Sequence, residues 1–317
     1  MSNTRRTFLH DAALGFAGVS VLAVTQTPAQ PRGESQEKPA GPVKPSAEVQ
    51  VPKMKFFNQD VSRLVIGCNP FYGYSHYTDV LGRVMKDYYT PERVCEVLHQ
   101  CNSFGINTFN YFPKGRALED LQRFEAEGGS MHLIVQGGGD LDLLYKTLKP
   151  MAVYYHGEKT DVAFQTGKMD PVRDWCKQQR DLGVVVGVGT HKPEVIALVE
   201  EQGWDVDFYA GCVYNRTRTA DELRHVLSGD MLEMPGEVYL QSDPPKMYRV
   251  MRQTKKPCFA FKILAAGRIS GHAADQAFQT AFESIKPNDG VFVGVFPRLK
   301  DEVRENAERV QRLLVRG

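Results

Sequence analysis

The thirty residues VVVGVGTHKPEVIALVEEQGWDVDFYAGCV, positions 184–213, hold one complete structural unit. A valine-rich run from Val184 to Gly189 is followed by a helical pattern from Pro193 to Gln202 and then by a second apolar run from Asp207 to Val213. Proline suits the first turn of a helix, where its missing N–H would have had no partner. Short runs of β-branched and aromatic residues bounded by turn residues read as strands. Two strands joined through a helix run parallel, because the crossover returns the chain to the same end of the sheet.

The alternation extends in both directions. Strand runs are expected at Arg63–Cys68, Ile106–Asn110, His132–Gln136, Met151–His156, Cys258–Ile263 and Val291–Phe296 in addition to the two above. Helical patterns lie at Thr90–Phe104, Gly115–Glu127, Asp140–Thr147, Asp170–Leu182, Ala220–Val226, Pro244–Gln253, Ala273–Ile285 and Lys300–Val315. Eight such units over residues 53–317 predict an α/β fold of the (β/α)8 type, the TIM barrel, whose usual size is about 250 residues.

Ahead of the barrel stand Thr4-Arg5-Arg6-Thr7-Phe8-Leu9, a moderately apolar run from Ala12 to Val24 and small residues ending near Ala29. Paired arginines before a short, Gly- and Ala-rich apolar segment have the form of a twin-arginine signal, so residues 1–29 are expected to engage the twin-arginine export machinery and to send the chain to the periplasm. Residues 30–52 are rich in Pro, Glu, Lys and Gly and are expected to form a flexible linker. No later stretch has the apolar length of a membrane span. The net charge is +1 with Lys and Arg dispersed, which argues against a nucleic-acid partner. Six cysteines without a C-x-x-C, in a chain too large to need staples, read mostly as small buried hydrophobes.

Chemistry in such a barrel sits at the C-terminal ends of the strands. The residues there are polar: Cys68 and Asn69, Asn110 and Tyr111, Gln136, His156 and Glu158, Thr190 and His191, Tyr214 and Asn215, Lys262, Pro297 and Arg298. Side chains alternate along a strand, so faces can be assigned by parity. Phe109 is expected outward with Asn110 inward, and Val135 outward with Gln136 inward. His156 is expected on the inner face with Tyr154 and Ala152. In the seventh run Phe259 and Phe261 are assigned to the helix layer, which puts Lys262 inside with Cys258 and Ala260.

These strand ends resemble the aldo-keto reductase superfamily. The likeness spans Val61 to Leu314 and is carried by Leu64-Val65-Ile66-Gly67-Cys68-Asn69-Pro70-Phe71, Gly105-Ile106-Asn107-Thr108-Phe109-Asn110, Val213-Tyr214-Asn215, Leu264-Ala265-Ala266-Gly267-Arg268 and Asp301-Glu302-Val303-Arg304-Glu305-Asn306-Ala307. The resemblance implies carbonyl reduction with a nicotinamide cofactor, using an aspartate after the second strand, a tyrosine, a lysine ending the third strand and a histidine ending the fourth. Of these only the histidine has a counterpart, His156. Asn110 and Gln136 stand where the aspartate and lysine belong, and Lys114 or Gly115 where the tyrosine belongs. Gly189, Thr190, Gly211 and Lys262 occupy the positions that would hold the nicotinamide. The resemblance also implies a grip on an NADP phosphate through Arg298, Lys300, Arg304 and Asn306.

Three readings of function follow. In the first, an exported enzyme acts on a small polar carbonyl or hydroxyl compound, sugar-derived ones among them. His156 would be acid or base, and Lys262 an electrophile, oxyanion stabiliser or, if desolvation lowers its pKa, a nucleophile. The alternative for Lys262 is a structural ion pair with Glu158 or Asp243. In the second, NADP-dependent redox chemistry persists with a modified tetrad. In the third, the barrel is a non-catalytic binder that offers a ligand the aromatic surface of Tyr111, Tyr154, Tyr214 and Phe296 with hydrogen bonds from Asn110, Gln136 and Asn215, and Asn69, Glu158 and His191 are further ligand-binding candidates. A divalent metal on His156, Glu158 and His191 is a further candidate within the enzyme reading.

Overall fold

A computed structural model describes residues 43–137, 142–227 and 237–315. The expected export signal, residues 1–29, and residues 30–42 of the expected linker lie outside the described residues.

The barrel closes with eight parallel strands. In chain order they are β3 (Leu64–Gly67), β4 (Thr108–Tyr111), β5 (His132–Gly137), β6 (Ala152–Tyr155), β7 (Val185–Thr190), β8 (Phe208–Cys212), β9 (Cys258–Phe261) and β10 (Gly290–Val293). Each pairs with its sequence neighbour, and β10 returns to β3 through Val293 opposite Ile66. This is the (β/α)8 barrel, with every expected strand in place. The outer helices begin where their caps predict: Thr90 accepts from Arg93 N ahead of Pro91, and Thr219 forms a reciprocal capping box with Glu222. Two helices were not expected, Asp79–Tyr88 after β3 and Gly157–Gln165 after β6. All six cysteines are free and buried. No helix among the described residues is long and apolar enough to cross a membrane.

The fold begins earlier than Lys53. Val49 and Val51, placed by sequence at the end of the linker, are buried. Val51 N donates to Phe104 O and Ser46 N to Ser103 O, both at 2.8 Å. Carbonyls at a helix C-terminus lack intrahelical donors. Residues 46–51 supply those donors to the helix Pro91–Ser103.

An antiparallel hairpin precedes the barrel, β1 (Lys53–Phe56) and β2 (Gln59–Ser62). Its Met54, Phe56 and Val61 share one cluster with Val65, Ile134, Ala152, Tyr154, Phe208, Ala210, Phe259 and Phe292. The hairpin therefore closes one end of the barrel interior. Phe56 packs edge-on against Phe208 and Phe259 at 5.4 and 5.3 Å, and Phe259 stacks on Phe292 at 4.8 Å. Glycine accommodates these rings, since a Cβ on Gly187 would lie 2.6 Å from the Phe208 ring.

This filling overturns the parity assigned to the seventh run. Phe259 and Phe261 face the interior, while Cys258 and Ala260 belong to the layer between sheet and helices. Bulky side chains are needed inside because they meet the hairpin. The assignments for Phe109, Asn110, Val135, Gln136, Tyr154 and His156 stand.

Candidate active site

A cavity of about 600 Å³ opens at the C-terminal ends of the strands, within the range of small-molecule sites. Asn69, Asn110, Gln136, His156, Glu158, His191 and Lys262 all line it. Its floor includes Tyr154, Phe261 and Phe292.

Lys262 reaches the cavity by breaking the strand pattern. Parity would send it to the helix layer with Cys258 and Ala260. Its φ is 61°, a left-handed conformation that a lysine adopts at a cost, and this turns the side chain back toward the cavity. Ala265 and Ala266, just after it, also have positive φ. Neither expected ion pair forms: Asp243 pairs with Arg218, and Glu158 faces Arg216 at 3.5 Å. The Lys262 amine makes no hydrogen bond or ion pair among the described residues, while its carbonyl accepts from Ala265 N at 2.7 Å. Desolvation by burial brings its pKa down to about 8 against a weaker pull from Cys212 and Glu237.

His156 caps the helix Gly157–Gln165, its Nδ1 accepting from Glu158 N at 3.2 Å. That contact leaves Nε2 carrying the ring proton. Burial lowers its pKa to about 4, so the ring is neutral near pH 7 and presents an N–H donor. The inward amides are similarly arranged: Asn110 Oδ1 accepts from Tyr154 OH at 3.0 Å, while Gln136 has no side-chain partner among the described residues.

His191 is held by a carboxylate that sequence inspection does not single out. Asp161, fully buried, accepts from His191 Nδ1 at 2.6 Å, His191 N at 3.1 Å, Thr190 Oγ1 at 2.5 Å and Thr217 Oγ1 at 2.9 Å. Arg216 lies between His191, at 3.4 Å, and the carboxylates of Glu158 and Glu237. Glu237 also accepts from His76 Nδ1 at 2.7 Å and from Tyr239 OH at 2.5 Å. Asn69 Nδ2 donates to His76 Nε2 at 3.3 Å. His76, Asp161, Arg216 and Glu237 come from three separate loops and one helix, so no spacing in the sequence reveals them.

Several expected ligand residues lie elsewhere. Tyr111 is on the outer face with Phe109 and packs under the helices, its hydroxyl without a partner among the described residues. Tyr214 is buried against Tyr239. Asn215 does not line the cavity, and its backbone N donates to Asp243 at 3.2 Å. The candidate metal set does not converge: Nδ1 of each histidine is engaged as above, and among the described residues no group of three or more His, Cys, Asp or Glu is arranged to hold a metal ion.

The expected phosphate grip is not assembled. Lys300 and Asn306 reach the cavity, but Lys300 pairs with Glu305 at 2.7 Å, and Asn306 Oδ1 accepts from Arg309 at 3.0 Å. Arg304 is shared between Asp301 and Glu308 and covers the Phe104 ring, and Arg298 is exposed away from the cavity lining. At the nicotinamide positions, Thr190 is committed to Asp161, and a Cβ on Gly211 would meet Met247 and Met251 of the helix layer. Of the four residues of the expected grip, only Lys300 and Asn306 line the cavity, and the charged side chains of Lys300 and Arg304 are both turned to neighbouring carboxylates, so the set does not converge on one phosphate site.

No family model matches the chain, and no curated protein does. Solved structures that resemble it include a phospho-2-dehydro-3-deoxyheptonate aldolase (DAHP synthase) from Thermotoga maritima, at 13% identity over 86% of this chain and 77% of that chain, TM-score 0.47. An aldo/keto reductase from Brucella melitensis matches at 12% identity over 84% of this chain and 100% of that chain, TM-score 0.44. A nitroalkane oxidase from Streptomyces ansochromogenes matches at 12% identity over 64% and 61%, TM-score 0.35. At these identities the likeness concerns the fold alone, and the barrel assignment rests on the chain's own strand order.

Proposed function

We propose that this chain is an enzyme that engages the carbonyl group of a small polar compound through the amine of Lys262. One observation carries the reading: a lysine turned by a left-handed backbone into a cavity, without a partner among the described residues and with its pKa brought to about 8. A buried unpaired cation is costly to keep, and an amine that is partly neutral near pH 7 is a competent nucleophile. Nζ adds to the carbonyl carbon, its proton passes to the oxygen, and the resulting hydroxyl leaves as water on taking one further proton from solvent, which gives an iminium. His156 Nε2–H is the neutral donor suited to the departing oxygen. Asn110 and Gln136 supply amide hydrogen bonds to neighbouring hydroxyls, as a sugar-derived compound would offer. The reading includes export through the twin-arginine route to the periplasm, supported by the Arg5-Arg6 segment.

Borohydride delivers hydride to an iminium carbon and leaves a stable secondary amine. The full chain treated with dihydroxyacetone and sodium borohydride is expected to gain one reduced adduct, located to Lys262 by peptide mass spectrometry. Only the neutral amine attacks, so the initial rate of adduct formation should rise with pH and level off above a midpoint near 8. Adducts scattered over surface lysines, or a midpoint at the ordinary lysine value, would count against it.

A further inference from the structure

The polar group best built for moving a proton at this mouth is not His156 but His76. His76 lies on the loop between β3 and the helix Asp79–Tyr88, and lines the cavity. Its Nδ1 faces Glu237 at 2.7 Å, and Glu237 is also bound by Arg216 and by Tyr239 OH. Burial would push the Glu237 carboxyl upward, but the His76 hydrogen bond with the Lys262 and Arg216 charges holds it well below the usual range. An ionised Glu237 only accepts, so Nδ1 carries the ring proton and Nε2 the lone pair. That lone pair accepts a hydrogen bond from Asn69 Nδ2 that is long, at 3.3 Å, and that a ligand in the cavity displaces. A base oriented by a fixed carboxylate, itself locked by further partners, is the arrangement that supports proton abstraction. Lys262 is close enough for its charge to act on both His76 and Glu237.

We infer that His76, oriented by Glu237, is the base that removes a proton from the carbon next to the carbonyl, so that the substrates are carbonyl compounds with such a C–H, hydroxyketones among them. The inference rests on the reading of Lys262 as the amine. In the iminium, the electron pair of the broken C–H bond becomes a carbon–carbon double bond, and the C=N π pair returns to nitrogen. The products are a neutral enamine and an imidazolium paired with Glu237. Return of the proton reverses the step, and no oxidant or reductant is consumed. His76 would be a catalytic residue and Glu237 a positioning residue.

The test uses the full chain with dihydroxyacetone in deuterium oxide. Loss of the methylene proton signal reports proton abstraction, and borohydride trapping in parallel reports Lys262. H76Q is expected to trap at a rate within about threefold of wild type while exchanging about 100-fold more slowly or worse. E237Q, which keeps the imidazole, should lose about tenfold in exchange with trapping preserved, and it serves if H76Q does not fold. Exchange unchanged in the variants overturns the role of His76, as does trapping without exchange in wild type, which leaves Lys262 standing. Exchange that depends on His76 with no trapping anywhere overturns Lys262 as nucleophile and keeps His76 as the base. Neither exchange nor trapping in wild type overturns both.

Discussion

Replacing Asp161 by alanine should destabilise the barrel by about 3–5 kcal/mol, the range for removing one partner of a buried charged network. Asp161 is fully buried and binds two threonine hydroxyls, the backbone N of His191 and the His191 ring. Alanine leaves these donors without an acceptor in a site closed to water, and each unsatisfied group carries its own desolvation cost. For a domain of this size the melting temperature should fall by about 10 °C, measurable by thermal unfolding. D161N retains one acceptor oxygen and should lose roughly half as much. A variant D161A that melts with wild type would show that β7 and the helix Gly157–Gln165 are not joined through this carboxylate.

Replacing Lys262 by methionine should have the opposite effect on stability while abolishing adduct formation. The Lys262 pKa falls from 10.5 to about 8 on folding, because burial disfavours the ammonium. Between those values the unfolded chain binds more protons than the folded one, so stability rises with pH across that window, and below about pH 8 the penalty is fully present. Methionine fills a similar volume without a charge. At pH 7, K262M should therefore be more stable by about 2–3 kcal/mol, with a melting temperature higher by about 5 °C, and the difference should shrink as the pH approaches 10. Gain of stability on loss of a functional group is the trade expected where a site is built on a strained, desolvated residue. Undiminished adduct formation in K262M would remove Lys262 from the chemistry.

The regular parts of the molecule were legible from the residues. Phe109 with Asn110, and Val135 with Gln136, alternate within unbroken strands, so parity placed the two amides at the cavity. Parity failed at Phe259 for a reason outside that strand: the hairpin of residues 53–62 fills the barrel interior and needs large rings opposite it. With Phe259 and Phe261 facing the interior, alternation alone would send Lys262 to the helices, and what brings it to the cavity is the positive φ that ends the alternation. Tyr111 and Tyr214 follow strand ends, where ligand surface is expected, yet Tyr111 lies on the outer face with Phe109 and Tyr214 is buried against Tyr239.

The carboxylates and His76 were beyond sequence inspection. Asp161 and His191 are 30 positions apart, and His76 and Glu237 are 161 apart, with no motif spacing to pair them. The sequence by itself determined the architecture, because period-two apolar runs alternating with capped helical segments leave a parallel crossover fold as the way to bury both faces of every strand. It also determined which residues end the strands. Only the tertiary structure decided which of those side chains meet, which cations are neutralised by neighbours and that the Lys262 amine has no partner among the described residues. Those outcomes depend on loop contacts and on burial, which couple residues far apart in the chain and have no local sequence signature.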